Sequence, residues 1–553
     1  MRFSLPLILC LFFTINVVAQ SSIAKPPEFG KSFVINKKST DFKMLGHDES
    51  GMYFQVEHNA LKNFFLIGYN DRSSGKLIKV DNQLNKVFNK DYSSALKGKG
   101  LIQLVTLNKK FYLLAAEVKN KNTEVIIQAA PINKSTGELD GAWVSLETLT
   151  KANKKDEVNF NIFYNPDSTS LIITSRIEGK SKSSYHVTKF DQNFHSTPKK
   201  VVLSNNFAPE NYDVEDLIYT DHNRIILVGK VYENIDNVKK KQRPLTFSHL
   251  NTIIYDENGT QLKVIDTKIP GINLNTTRVF LKDKKVILTS FYSNKLTGNV
   301  TDGLLVKEID ILSGDIISNV ETNINPSMLV SAVTNGTAKP GFSAYLKFIS
   351  LHFSPDGNII IVSEAYNQVK VVRRTYGNRP DGAFLPTSTN YQTICDSGEI
   401  LICNIKPDKG IEWLKIIPKK QSETHNEGET RRTKTTAVGK TIETTSKPYY
   451  SGILSFSQDK YLQIIFNDYE VNGAITSVEQ KPKLIKKFKK SAAYMVSIDM
   501  NNGNTSRKLL FSNSKKPILM PRHSIYTDNT LYMVGLKVIN LNKTKGTLGK
   551  FYF

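Results

Sequence analysis

The sequence predicts an all-β protein folded as a closed ring of four-stranded blades, a β-propeller, with eight blades and seven as the alternative. Three observations carry the prediction. A run of apolar β-formers recurs eight times along the chain. Most of these runs follow a tight turn and an earlier strand, and a second strand–turn–strand unit comes after. Repetition of this kind without a helical period is the sequence signature of radially repeated sheets.

The clearest repeat is Ile349 to Tyr366, ISLHFSPDGNIIIVSEAY. Pro355 presets φ for a turn, Gly357 tolerates positive φ, and the flanking Ile and Val residues favour strands. Runs like its second half begin at Phe64, Phe111, Leu171, Ile225, Val286, Ile359, Tyr461 and Leu531. The second hairpins begin at Leu77, Ile253, Leu305, Ile400 and Met495, each turning on Asp, Asn, Lys or Gly. The last repeat is incomplete, because only Gly546 to Phe553 remain after Leu531 to Lys537. A free strand, Lys31 to Asn36, lies near the other terminus, and pairing the two would close the ring and hide its edges. The weak first repeat, Met52 to Phe88, is the one that would serve only as a cover in a seven-bladed ring.

Residues 1–20 read as an export signal, with Arg2 as the basic start, Leu5 to Phe13 as a short apolar stretch and Ala19 near the cleavage point. The remaining 21–553 form one domain with no other long apolar run, hence no transmembrane segment. The expected location is periplasmic, cell-surface or extracellular. With 74 basic and 51 acidic residues, the net charge is +23, which favours anionic neighbours. Cys395 and Cys403, flanking Asp396-Ser397-Gly398, are an even pair compatible with a disulfide across a hairpin.

The pattern Phe353-Ser354-Pro355-Asp356-Gly357 followed by Ile359 to Val362 resembles the WD40-like repeats of bacterial exported propellers. The stretch Glu399 to Gln421, with Gly410, Trp413 and Ile417-Pro418-Lys419-Lys420-Gln421, is similar to a family of uncharacterised secreted bacterial proteins, a resemblance that implies no activity. In WD40-like blades the Ser-Pro-Asp-Gly turn lies on the bottom face, and the second-to-third and blade-to-blade connections lie on top. By that rule the long segments 232–246, 323–347, 367–393, 419–447 and 476–490 all emerge on one face.

Three of them are densely basic. They carry Lys239, Lys240, Lys241 and Arg243; Lys370, Arg373, Arg374 and Arg379; and Lys486, Lys487, Lys489 and Lys490. Binding loops gather on one side of rigid scaffolds, so these residues are the candidate binding site. Segment 419–447, rich in Thr, Glu and Lys, is expected to be flexible or disordered.

No nucleophile elbow, metalloprotease helix or phosphate loop is present, and the turn aspartates lack the spacing of a calcium loop. No metal or cofactor is expected. His352 reads as a packed or pore-lining residue. The expected function is therefore a non-catalytic binding or scaffold propeller of the cell envelope. Its partner would be an anionic glycan, lipopolysaccharide or an envelope protein, rather than nucleic acid. A propeller hydrolase or lyase acting on a polysaccharide, and a structural subunit of an envelope complex, are the alternatives.

Overall fold

The structure is a computed structural model. It describes residues 27–552 apart from 37–40, 59–73, 165–169, 180–181, 192–193, 195–198, 235–244, 270–272, 295–299, 325–341, 344–345, 379–383, 408, 428–447, 476–479, 516 and 541–542. Eight antiparallel sheets follow one another along the chain and form the predicted eight-bladed propeller. Blades 1 to 7 occupy residues 41–91, 100–150, 157–203, 212–267, 273–323, 346–427 and 453–512. Helix among the described residues is limited to 3-10 turns such as Asn120–Asn122.

Blade 8 is built from both ends of the chain. Thr530–Asn540 pairs with Lys543–Tyr552, and the latter pairs with Glu28–Phe29 and Phe33–Asn36 in the register Phe29 to Gly549 and Phe33 to Gly546. The expected closure is therefore present. Lys550 Nζ donates to Asn82 O of blade 1 at 2.7 Å, and His47 of blade 1 pairs with Asp528 of blade 8.

The core is a ring of interfaces. Separate apolar clusters join blades 1 and 2, 2 and 3, 3 and 4, 4 and 5, 5 and 6, 6 and 7, 7 and 8, and 8 and 1. Within blade 6, Ile359 and Ile361 face blade 5 while Ile360 and Val362 face blade 7. A middle strand buried on both faces must be apolar at every position, which is why these strands read as continuous runs instead of alternations.

Several expectations change in detail. Blade 1 is a complete sheet of four strands, which removes the seven-bladed alternative. Its second strand is Gly51–His58, and the run from Phe64 lies outside the described residues. Segment 367–393 is not a loop for most of its length. Strands Ile359–Asn378 and Phe384–Lys406 pair continuously from Ile359–Ile405 to Asn378–Phe384, raising a long hairpin out of blade 6. Val369, Val371, Val372, Thr375 and Tyr376 are β-formers, so the strand continues through the basic residues between them.

Segment 419–447 is also partly regular. Gln421–Glu427 adds a fifth strand against 391–397, and 428–447 lie outside the described residues. Within 323–347, Phe342–Ser343 pairs with Val300–Thr301. The turn Ser354 to Gly357 is as expected, with Gly357 at φ 83° and its N–H on Ser354 O at 2.9 Å.

Candidate functional site

The root of the blade 6 hairpin is held by a buried polar network that reaches across blades 6, 7 and 8. Above Val362 the interior turns polar. Glu364 forms an ion pair with Lys419 at 2.7 Å, with side chains only 3 % and 0 % exposed. A buried pair of this kind is retained by its geometry and its added hydrogen bonds. Here Lys419 Nζ also reaches Gln421 Oε1 at 3.4 Å, and that oxygen accepts from the backbone N–H of Gly452 at 2.9 Å.

From Gln421 the network continues outward. Its Nε2 donates to Asn467 O in blade 7 at 2.6 Å. Asn467 Nδ2 donates to the carbonyls of Tyr450 and Leu519, and its Oδ1 accepts from Asn513 Nδ2. Glu423 accepts three successive backbone N–H groups, from Tyr449, Tyr450 and Ser451, each at 2.9 Å, and stands 3.2 Å from His425. Burial alone would raise this carboxyl, but His425 and the backbone donors hold it below the usual carboxylate range.

The segment 480–490 is joined to the same sheet. Ile485 N donates to Lys420 O at 3.0 Å and Ser422 N to Ile485 O at 2.8 Å, a parallel bridge beside the added strand. Ile485 and Phe488 are buried and anchor the segment. Asn472 clamps it from blade 7, with Nδ2 on Lys483 O at 3.0 Å and Oδ1 on Lys483 N at 2.9 Å. Asp468, itself paired with Arg507 at 2.5 Å, fixes Asn472.

The candidate binding residues fall into three cases. Lys486, Lys487, Lys489 and Lys490 are exposed on this anchored segment, and none makes an ion pair among the described residues. Lys370, Arg373 and Arg374 occupy the raised hairpin at register positions opposite Thr393, Asn390 and Thr389. Arg379 and the cluster Lys239, Lys240, Lys241 and Arg243 lie outside the described residues. Two of the three clusters thus belong to elements tied to the strand Gln421–Glu427, the raised hairpin by strand pairing and the lysine segment by the bridge at Ile485.

The disulfide expectation is corrected. Cys395 and Cys403 lie on one continuous strand, opposite Gln368 and Ile361, with a register shift between them where a turn was expected. Eight residues of strand separate their Cα atoms by about 25 Å, far beyond disulfide reach. Burial pushes the Cys403 thiol up to about 12 and also raises Cys395, so neither is a thiolate at neutral pH.

His352 stands on the inner strand of blade 6 and bridges to blade 7. Its Nε2 lies 2.8 Å from Ser350 Oγ, and its Nδ1 lies 2.9 Å from Ser457 Oγ. Burial lowers it to about 4, so the ring is neutral. Both nitrogens meet hydroxyls, and Ser457 stands where a hydrolytic triad would carry a carboxylate. This arrangement fastens two inner strands together. Among the described residues no group of three or more His, Cys, Asp or Glu could hold a metal ion.

Sequence reasoning named Lys419 and Gln421 only within a resemblance and gave no role to them or to Glu364, Glu423, Asn467 and Asn513. Lys419 and Lys420 are adjacent and chemically identical, yet one is buried and the other exposed. Only the partner across the sheet distinguishes them.

No protein-family model and no curated protein matches the chain. Solved structures that resemble it include prolyl oligopeptidase B from Galerina marginata, 11 % identical with a TM-score of 0.28 over 63 % of this chain. The chain spans only 37 % of that protein's length. The polysaccharide lyase Uly1 is 8 % identical, with a TM-score of 0.34 over 97 % of this chain and 94 % of its own. The WD40 domain of SCAP from fission yeast is 8 % identical, with a TM-score of 0.35 over 95 % of this chain and 97 % of its own. At such scores these likenesses carry no functional argument, and the propeller assignment rests on the chain's own strand pairing.

Proposed function

We propose that this protein is a non-catalytic binding propeller whose top face at blades 6 and 7 docks an anionic partner. The observation that carries the reading is the anchored lysine segment. The stretch 469–490 holds six lysines, Lys481, Lys483, Lys486, Lys487, Lys489 and Lys490, against two carboxylates, Glu470 and Glu479. Cations held on a rigid base lose little freedom when they meet a phosphate or carboxylate, and each contact releases counterions. The basic balance of the whole chain adds long-range attraction. The apolar leader-like start, Leu5 to Phe13 after Arg2, supports action outside the cytoplasm, which sequencing the N-terminus of the secreted protein would test.

The test of binding is retention on immobilised heparin. The double reversal Lys486→Glu with Lys487→Glu should elute at clearly lower salt than the wild type, because each lost contact removes about one unit of salt slope. A control reversal of Lys110 and Lys284, both exposed at the first-to-second-strand turns of blades 2 and 5, should change elution little. Equal loss in both variants would show generic basicity and overturn the reading.

A further inference from the structure

We infer that the anionic partner is a lipid surface, and that the corner of blades 6 and 7 is a peripheral membrane-binding face. The inference rests on the reading above and adds an apolar component to it. Among the described residues, the exposed large apolar side chains stand mostly on outermost strands, as with Val202, Leu262 and Ile316, or at bottom turns, as with Leu312. Three do not. Val369 and Val372 stand on the raised hairpin of blade 6, 43 % and 48 % exposed, and Val471 stands beside the lysine segment, 67 % exposed. These are the second-to-third-strand connections of the two blades that carry the lysines.

A soluble polyanion needs only the cations. Exposed valines next to lysines without carboxylate partners suit a boundary where charge and hydrocarbon lie within a few ångströms of each other. Anionic headgroups would meet Lys486, Lys487, Lys489 and Lys490, while the valines enter the region beneath. Lysine stems add apolar length and keep their charges at the headgroup level.

The geometry of the base fits this use. Val471 sits within the turn Glu470–Ala474, which Asn472 clamps to Lys483. Val369 lies opposite Ile394, which pairs with Thr424 of the added strand. The hairpin root and the lysine segment are therefore both tied to the strand Gln421–Glu427, with Val369 and Val372 on opposite faces of the hairpin, and this bracing holds the apolar and cationic groups at one corner of the ring.

The experiment compares vesicles of phosphatidylglycerol and phosphatidylcholine with vesicles of phosphatidylcholine alone, by co-sedimentation at rising salt. The full chain should bind the anionic vesicles in a salt-sensitive manner and the neutral ones weakly. The variant carrying Val369→Thr, Val372→Thr and Val471→Thr should lose about tenfold in affinity for anionic vesicles, with heparin elution unchanged. The Lys486→Glu, Lys487→Glu variant should lose on both supports. Wild-type affinity of the threonine variant for vesicles would overturn the lipid inference and leave the basic corner standing. Retention on heparin with no vesicle binding by the wild type would also overturn it and assign a soluble polyanion. Binding to neither support would remove the basic corner as a binding face, and the inference with it.

Discussion

Blades 3 and 6 begin alike and diverge at the top of the ring. Both have a middle strand of unbroken aliphatic residues, Leu171 to Ile173 in one and Ile359 to Val362 in the other, nearly inaccessible to water. In blade 3 the strand ends at Glu178, and the chain returns at once, with Gly179 N on Lys182 O at 3.0 Å. In blade 6 it continues to Asn378, and the interior changes from aliphatic to ionic at Glu364. Blade 3 is held by area removed from water, whereas the top of blade 6 is held by specific pairing. The first tolerates loss in proportion to volume, and the second fails when one partner is removed.

The sharpest way to break that contrast is Lys419→Ala. It leaves the Glu364 carboxylate buried without its cation and should cost about 4 kcal/mol, read as a lowered midpoint in denaturant. Joint replacement of the pair, Glu364→Leu with Lys419→Met, should recover most of the loss. If the double variant is no better than the single one, the pair is not the reason. For blade 3 the matching change is Ile173→Ala, expected to cost about 3 kcal/mol through the cavity it leaves between blades 2 and 3.

Glu423→Gln comes next, at about 2 kcal/mol, because an amide keeps the shape but loses the charge that three backbone N–H groups address. Hydrogen exchange at Tyr449, Tyr450 and Ser451 should show the loss locally. The pH dependence has a definite sign. A carboxyl held below its ordinary value of 4.5 stabilises fully above that value, and the stabilisation fades as pH falls through the depressed native value. The variant should lack this acid-induced loss.

His352 gives the smallest expected effect at neutral pH, about 1 kcal/mol for the hydroxyl contacts that His352→Asn would weaken. Its native value near 4 lies below the ordinary 6.5, so the unfolded chain binds the proton first. Stability should therefore fall between pH 6.5 and 4 in the wild type. That part of the slope should flatten in His352→Asn; an unchanged slope would assign the titration to other groups.

What could be read from the residues follows the same division. Aliphatic runs buried on both faces mark their strands without any knowledge of neighbours, so the starts at Phe111, Leu171, Ile225, Val286, Ile359, Tyr461 and Leu531 all fall on second strands. Closure by Lys31 to Asn36 was legible because the count of strands left one place empty. The corner was not legible. Lys419 looks like any surface lysine, and Gln421, Glu423 and Asn467 acquire meaning only from partners tens of residues away. The raised hairpin was hidden for a related reason, since its β-formers are interleaved with Lys370, Arg373 and Arg374, which suggest a solvated loop. The same holds for Cys395 and Cys403, whose closeness in sequence means distance once the strand between them is straight.

The seam in blade 8 has a consequence for how the molecule is made. Thr547 Oγ1 donates to Gly30 O at 2.8 Å, a contact between groups separated by almost the whole chain. Strands 28–29 and 33–36 are the first of the fold to be synthesised and the last to find a partner. Seven blades can pair from local hairpins as they emerge, with short loops to close. The eighth waits for the final residues, and until then the first strands lack a partner and blades 1 and 7 leave apolar faces uncovered. The last step of folding should therefore be a single slow closure. A nascent chain stalled before residue 543 should remain open, protease-sensitive at its N-terminal strands and prone to pair with another copy of itself.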